Sequence, residues 1–235
     1  MGANAQTAVP AFTAGQVLTA AQQTQINTGI PVFATTTTRD AAFGGTGEKT
    51  LAEGQFAYIE ADNTTQYYDG AAWQTVGGGL TLVKTQTIGT AVSSVTVSDV
   101  FSATYDAYKI IISGGAGSTT LQLALTLGST TTGYYWGILY NNYAASPGAS
   151  GATNTTAITL AGGATSTTIQ MNADIMNPFT AEQTQFFNNF WFDGTNIGNT
   201  RGYLDNTTSY TAFTLTTNTG TLTGGTIRVY GYQNS

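Results

Sequence analysis

Apolar residues recur at every second position over much of this chain. In TTLQLALTLG (119–128), Leu121, Leu123, Leu125 and Leu127 fall on one side, and Thr120, Gln122, Ala124 and Thr126 on the other. A period of two marks a strand with one face in a core and one facing water or a partner. TTIQMNADIM (167–176) repeats the pattern with Ile169, Met171, Ala173 and Ile175. The same reading predicts strands at 80–89, 92–101, 108–114, 133–143, 156–162, 200–206, 210–218 and 224–232. QTQFFNNFWFDG (183–194) is apolar on both sides: Phe186, Phe190 and Phe192 share one face, Phe187 and Trp191 the other. Such a strand is expected to be covered twice, once by the core and once, through Phe187 and Trp191, by a neighbouring subunit. About ten strands without intervening helices predict a mainly β fold, an antiparallel sandwich of jelly-roll topology. SPGASGATNTT (146–156) lacks the period and predicts a polar loop.

The first third reads differently. Thr19 and Gln22 have capping-box spacing, and AAQQTQINT supplies helix formers before Gly29 and Pro31 stop the helix. Its apolar face, on Ala21, Gln25, Ile26 and Thr28, is weak, so this helix needs a partner to hold it. QFAYIEADNTTQYYDGAAWQTVG predicts a three-stranded meander over 55–60, 65–69 and 71–76, with Asp69-Gly70 as the two central residues of a type I′ turn. Three short strands make too small a core to stand without a neighbour. Gly77-Gly78-Gly79 reads as a linker. The organisation expected is an N-terminal anchoring region at 1–76, a glycine linker at 77–79 and a sandwich at 80–235.

Composition narrows the chemistry. The chain has no cysteine and no histidine. Disulfides, the usual zinc ligand sets, and Ser-His-Asp or Cys-His catalysis are thereby excluded. Charged residues make up 8% and the net charge is −6, against roughly 25% charged residues in an average soluble domain. The basic residues Arg39, Lys49, Lys84, Lys109, Arg201 and Arg228 are scattered, which argues against nucleic acid and against an anionic membrane. A surface built from Thr, Ser, Asn, Gln and Gly fits an extracellular or virion β-protein. MGANAQTAVPAF has neither a basic region nor an apolar core of a secretory signal. External character without an export signal predicts assembly inside a host cell and release by lysis.

Asp99, Asp106, Asp174, Glu182, Asp193 and Asp205 are the acids from which a glycosidase pair would have to come. Most stand at strand ends beside Gly, Asn or Thr, where turn hydrogen bonds favour Asp. No catalytic residue, cofactor or metal site is expected. Asn63, Asn154 and Asn206 open glycosylation sequons and read as turn residues. The candidate recognition surface is Tyr140, Asn141, Asn142 and Tyr143, with the 144–155 loop and turns at 193–199 and 205–210. Tyr134, Tyr135 and Trp136 earlier in the same strand share the expectation of a wet surface, and Tyr, Trp and Asn supply stacking area and adaptable hydrogen bonds. With no Arg or Lys cluster, a neutral host-surface glycan is the expected ligand.

The stretch AFTAGQVLTAAQQTQINTGIPVFATTTTRDAAF, followed by EGQFAYIEADNTTQYYDGAAWQTVG, resembles an N-terminal module of tailed-bacteriophage structural proteins. There a TAGxVLTAA helix precedes VFAxxxxRDAA and a meander ending in YDGxxW. The likeness covers about 60 of the first 76 residues. FSATYDAYKIIISG and GGTIRVYGYQNS more loosely resemble the β-sandwich carried on phage fibres and appendages. The resemblance implies a virion location, a homotrimer held to other virion proteins through the N-terminal region, and a structural part without catalysis. A tail fibre or tail-tip appendage is the function expected. A capsid decoration or head-fibre protein is the alternative, and a polysaccharide-degrading tail enzyme the third.

Overall fold

The computed structural model describes residues 6–26, 29–77, 79–192 and 194–234, with the side chains of 24–26 and 190–192 outside the described set. The chain forms two compact units, Met1–Gly78 and Gly79–Ser235.

In the first unit, α1 (Ala20–Ile26) begins at the expected capping box. The Gln22 amide donates to Thr19 Oγ1 at 3.2 Å, and the Thr19 amide to Gln22 Oε1 at 3.0 Å. Thr28, placed on its apolar face by spacing, lies outside the described residues, as do the side chains of Gln25 and Ile26. β1 (Val32–Phe33) leads into α2 (Thr36–Asp40), which the β-branched run of threonines hid from the sequence reading. A second capping box, Thr35 with Thr38, starts this helix. The meander is β2 (Phe56–Ile59), β3 (Thr64–Tyr68) and β4 (Trp73–Thr75), and β1 adds to it in parallel. Its turn is shifted by one residue from the expectation. The Asp69 amide bonds to Ala72 O, so Gly70-Ala71 are the central residues. Of the two, Gly70 has positive φ, whereas type I′ needs it at both. Asp69 instead caps the turn, accepting from the Ala71 and Ala72 amides at 2.8 and 2.6 Å. Val9, Phe33, Ala42, Ala57 and Ile59 form the small core. Arg39 is buried beside it, its guanidinium 4.6 Å from the Trp73 ring centroid and bonded to Gln66 and Asp40.

The second unit contains β5 (Leu80–Thr87), β6 (Ser94–Val97), β7 (Ala107–Ser113), β8 (Ala116–Gly117), β9 (Leu121–Leu127), β10 (Tyr134–Asn142) and β11 (Pro147–Thr155). It continues with β12 (Ile158–Thr165), β13 (Thr168–Met176), β14 (Thr184–Phe192), β15 (Asn196–Leu204), β16 (Phe213–Thr217), β17 (Leu222–Thr223) and β18 (Thr226–Tyr232). Eight of these strands form two sheets, ordered β5-β18-β7-β13 and β6-β16-β9-β12, joined at one corner by a short β12–β13 ladder from Gly163–Gln170 to Thr165–Thr168. Strands consecutive within this set of eight alternate between the sheets, except that β9 and β12 are neighbours in one sheet, and this is jelly-roll connectivity. The expected sandwich is therefore the fold. Its interior holds Leu121, Leu123, Leu125 and Leu127 from one sheet and Ile169, Met171, Ala173 and Ile175 from the other, as the alternation required. Each fully buried Leu or Ile stabilises by about 1.5–3 kcal/mol.

Two hairpins are inserted into this framework, β10–β11 between β9 and β12, and β14–β15 between β13 and β16. They widen the first sheet to eight strands, β5-β18-β7-β13-β14-β15-β10-β11. Residues 147–155, expected as loop, are thus the sheet's edge strand. PGASGATNT carries no apolar period because its burial pattern is mostly exposed. The expected turn at 193–199 shrinks for the same reason, since β15 begins at Asn196. A β-bulge between Asn188 and Trp191 corrects a further expectation. Asn188 pairs with Thr200 but Trp191 with Gly198, so the alternation that put Phe187 and Trp191 on one face breaks between them. The side chain of Trp191 lies outside the described residues.

Candidate functional site

The outer face of the widened sheet presents odd-numbered residues of β10, β14 and β15. Register sets them side by side: Tyr135 opposite Tyr203, Tyr203 opposite Gln185, and Phe187 opposite Arg201, which in turn faces Gly137. The Tyr135 and Tyr203 rings stack in parallel, with centroids 4.9 Å apart and planes within 4°. The Arg201 guanidinium lies 5.3 Å from the Phe187 ring centroid. Gly137 leaves a gap between these two pairs, because a Cβ built there meets nothing nearer than Ser150 O at 3.8 Å. The result is a cleft of about 520 Å³ walled by tyrosines and rimmed by Gln183, Gln185 and Thr153.

A second hollow of about 550 Å³ continues from it, sharing Phe187 and Arg201 and reaching Asp174, Met176, Asn189 and Tyr232. Asp174 organises this end. Lys109 Nζ lies 3.1 Å from its Oδ1, Tyr232 Oη donates to the same oxygen at 2.5 Å, and Asn189 Nδ2 donates to Oδ2 at 3.4 Å. Burial, the hydrogen bond to Asp174 and the carboxylate's charge together push the Tyr232 hydroxyl up to about 12. It stays a neutral donor at physiological pH.

The four residues singled out in sequence are divided between the two faces. Tyr140 turns inward to pack on Ile138 and Leu160. Its ring lies so close to Gly148 that a Cβ there would come within 2.5 Å. Asn141 is exposed on the outer face and lines a third hollow, about 430 Å³, with Leu139 and Ile197. Asn142 holds the β10–β11 turn: its amide bonds to Ser146 O at 3.2 Å and its Oδ1 accepts the Ser146 amide at 3.0 Å. Tyr143 projects from the hairpin tip, 65% exposed, and its amide reaches Thr195 O at 3.4 Å at the tip of β14–β15. Phe187, expected at a subunit contact, is half-buried beneath Arg201 on the outer face.

Two of the remaining acids are occupied locally. Glu182 accepts from Asn177 Nδ2 at 2.9 Å and Asp205 from Gln183 Nε2 at 2.6 Å. Asp193 lies outside the described residues. Among the described residues no three acids converge as metal ligands would, and no helix is long and apolar enough to cross a membrane. Asn63 sits at positive φ in a turn and Asn206 Oδ1 accepts the Thr208 amide at 3.0 Å, as expected of turn residues, whereas Asn154, also at positive φ, lies in β11 where its register with β10 shifts. Tyr203 and Arg201 escaped the sequence reading because β10 and β15 are remote in the chain; of the aromatics expected at a wet surface, Tyr135 and Trp136 line the cleft and Tyr134 is fully buried. The signal available was Gly137 in the middle of an aromatic strand, where a close approach or an opening is the usual reason for glycine. Comparison with family models, with curated proteins and with solved structures finds no match for this chain.

Proposed function

We propose that this chain is a structural component of a bacteriophage virion, a tail-fibre or tail-tip appendage that contacts the host surface and carries out no catalysis. The observation that carries this reading is the widening of one jelly-roll sheet to eight strands by inserted hairpins. A broad, open, weakly charged face suits display and contact better than it suits the enclosed site that chemistry in a water-excluded pocket requires. The separate Met1–Gly78 unit, which bears the resemblance to phage N-terminal modules, supports a role for it as the anchor to other virion proteins. Self-association as a homotrimer belongs to the same reading, and an exposed Leu139 (71%) on the open face is consistent with it.

Immunogold labelling of intact particles with an antibody to residues 79–235, combined with copy number per particle, tests this. Label confined to the tail end at low copy number is the expected result. Label spread over the shell at high copy number would replace the appendage with a capsid decoration or head-fibre protein. Particles that carry no label would end the virion reading. Release of reducing ends from host envelope polysaccharide, abolished by an Asp or Glu substitution, would make the protein an enzyme instead.

A further inference from the structure

The two connected hollows form one trough that crosses the strands of the widened sheet, from Tyr232 on β18 through β7, β13, β14 and β15 to Tyr135 on β10. Five strand spacings of about 4.8 Å make it about 24 Å long. We propose that this trough binds a linear oligosaccharide bearing a carboxylate, with a sugar ring against the Tyr135–Tyr203 wall and the carboxylate on Arg201.

Three features point to that ligand. The walls are aromatic faces with hydroxyl tips, which pair an apolar surface with a polar edge as a sugar ring does. The rim groups Gln183 and Gln185 are amides, able both to donate and to accept toward a hydroxyl-rich chain. The charge pattern selects an acid. Lys109 is tied to Asp174, and Arg228 donates to Ser113 Oγ at 2.7 Å. Arg201 is exposed and makes no ion pair among the described residues, while its planar fork is suited to a carboxylate. Counting charges along the chain favoured a neutral glycan. The fold reverses that preference by placing one uncommitted guanidinium in the trough. The site rests on the host-contact reading above for its setting, and on its own geometry for its chemistry.

The test uses the full chain and a panel that pairs each uronic-acid-containing bacterial surface oligosaccharide with its carboxyl-reduced neutral counterpart. The best binder is then titrated calorimetrically. The acidic chain should bind at least about tenfold more tightly than its reduced counterpart, the size of one charge-assisted hydrogen bond. Arg201→Gln should erase that difference. Gly137→Val should abolish binding of both, since its side chain fills the floor of the cleft, while thermal stability is kept because the position is open and valine favours strands. Absence of binding across the panel overturns the proposal. So does equal binding of the reduced counterpart, or wild-type affinity in Gly137→Val. A dimer that Gly137→Val disrupts, with no sugar bound, would assign the trough to a second copy of the chain instead. Sugar binding by a protein absent from particles would overturn the virion reading and leave the site standing. Particle labelling without sugar binding would do the reverse.

Discussion

Removing one hydroxyl group, Tyr134→Phe, should measurably uncouple the inserted β10–β11 hairpin from the jelly-roll core. Tyr134 is fully buried at the start of β10. Its Oη accepts the Leu127 amide at 2.7 Å and donates to Thr130 O at 3.3 Å. Leu127 is itself buried, at the end of β9. The phenylalanine keeps the ring but leaves a buried N–H without a partner, a loss of about 1–3 kcal/mol. For a unit of this size each kcal/mol lowers Tm by about 2–4 °C. The pH dependence makes the test specific. Burial raises the Tyr134 hydroxyl to about 12, against about 10 in an unfolded chain. A raised acid stabilises the fold fully below pH ~10, and this contribution is lost as pH rises through about 12. The variant has nothing to ionise at this position. Urea titrations followed by circular dichroism should therefore give a constant gap between wild type and variant up to pH ~10, narrowing above it. Tyr232 is present in both proteins and cancels. Equal stability at pH 7, or a gap that stays constant to pH 11.5, would refute the reasoning.

Gly231→Ala should destabilise the jelly roll by about 1–3 kcal/mol, because its Cβ would stand 2.3–2.6 Å from the Tyr105 ring. Tyr105→Ala added to it should recover part of the loss in a double-mutant cycle, and strictly additive costs would contradict the contact. In the first unit, the Asp69 carboxyl is held below its ordinary value of 3.8, first by the Ala72 amide, then by the Ala71 amide and Gln74. Its turn is therefore intact above the ordinary value and released as pH falls through the lowered one. The Ala71 and Ala72 amide resonances should titrate together with a midpoint below 3.8, and a midpoint at or above that value counts against the cap. Arg39→Lys loses the planar fork over Trp73 and toward Gln66. Hydrogen exchange should accelerate by about tenfold across 56–75, the equivalent of one hydrogen bond, and stay unchanged across 121–127. Acceleration in both segments would show that Arg39 does more than organise its own unit.

What could be read from the sequence was whatever local alternation controls. The leucines of β9 and the Ile169–Ile175 series of β13 announce their buried face directly. The Thr19–Gln22 box is a contact over three residues and so is legible in the chain itself. β11 was not legible, because an edge strand with both faces largely exposed needs no apolar code; β10 supplies its pairing. The cleft was hidden by the same physics. Tyr135 and Tyr203 meet through the register of two hairpins inserted at separate points, and a bulge reverses the phase of β14 beyond Asn188. Tyr140 looked like a surface residue because its neighbours Asn141 and Asn142 are polar, yet alternation alone assigns it to the inner side with Ile138.

The two insertions are unequal in rank. β14–β15 is anchored on β13, a strand of the jelly roll itself, whereas β10–β11 pairs only with β15 among the other described strands. A chain lacking β10–β11 would still have every remaining strand hydrogen-bonded in sequence. A chain lacking β14–β15 would strip β10–β11 of the strand it pairs with. A minimised version of the protein faces the same constraint: β10–β11 can be trimmed alone, and β14–β15 cannot.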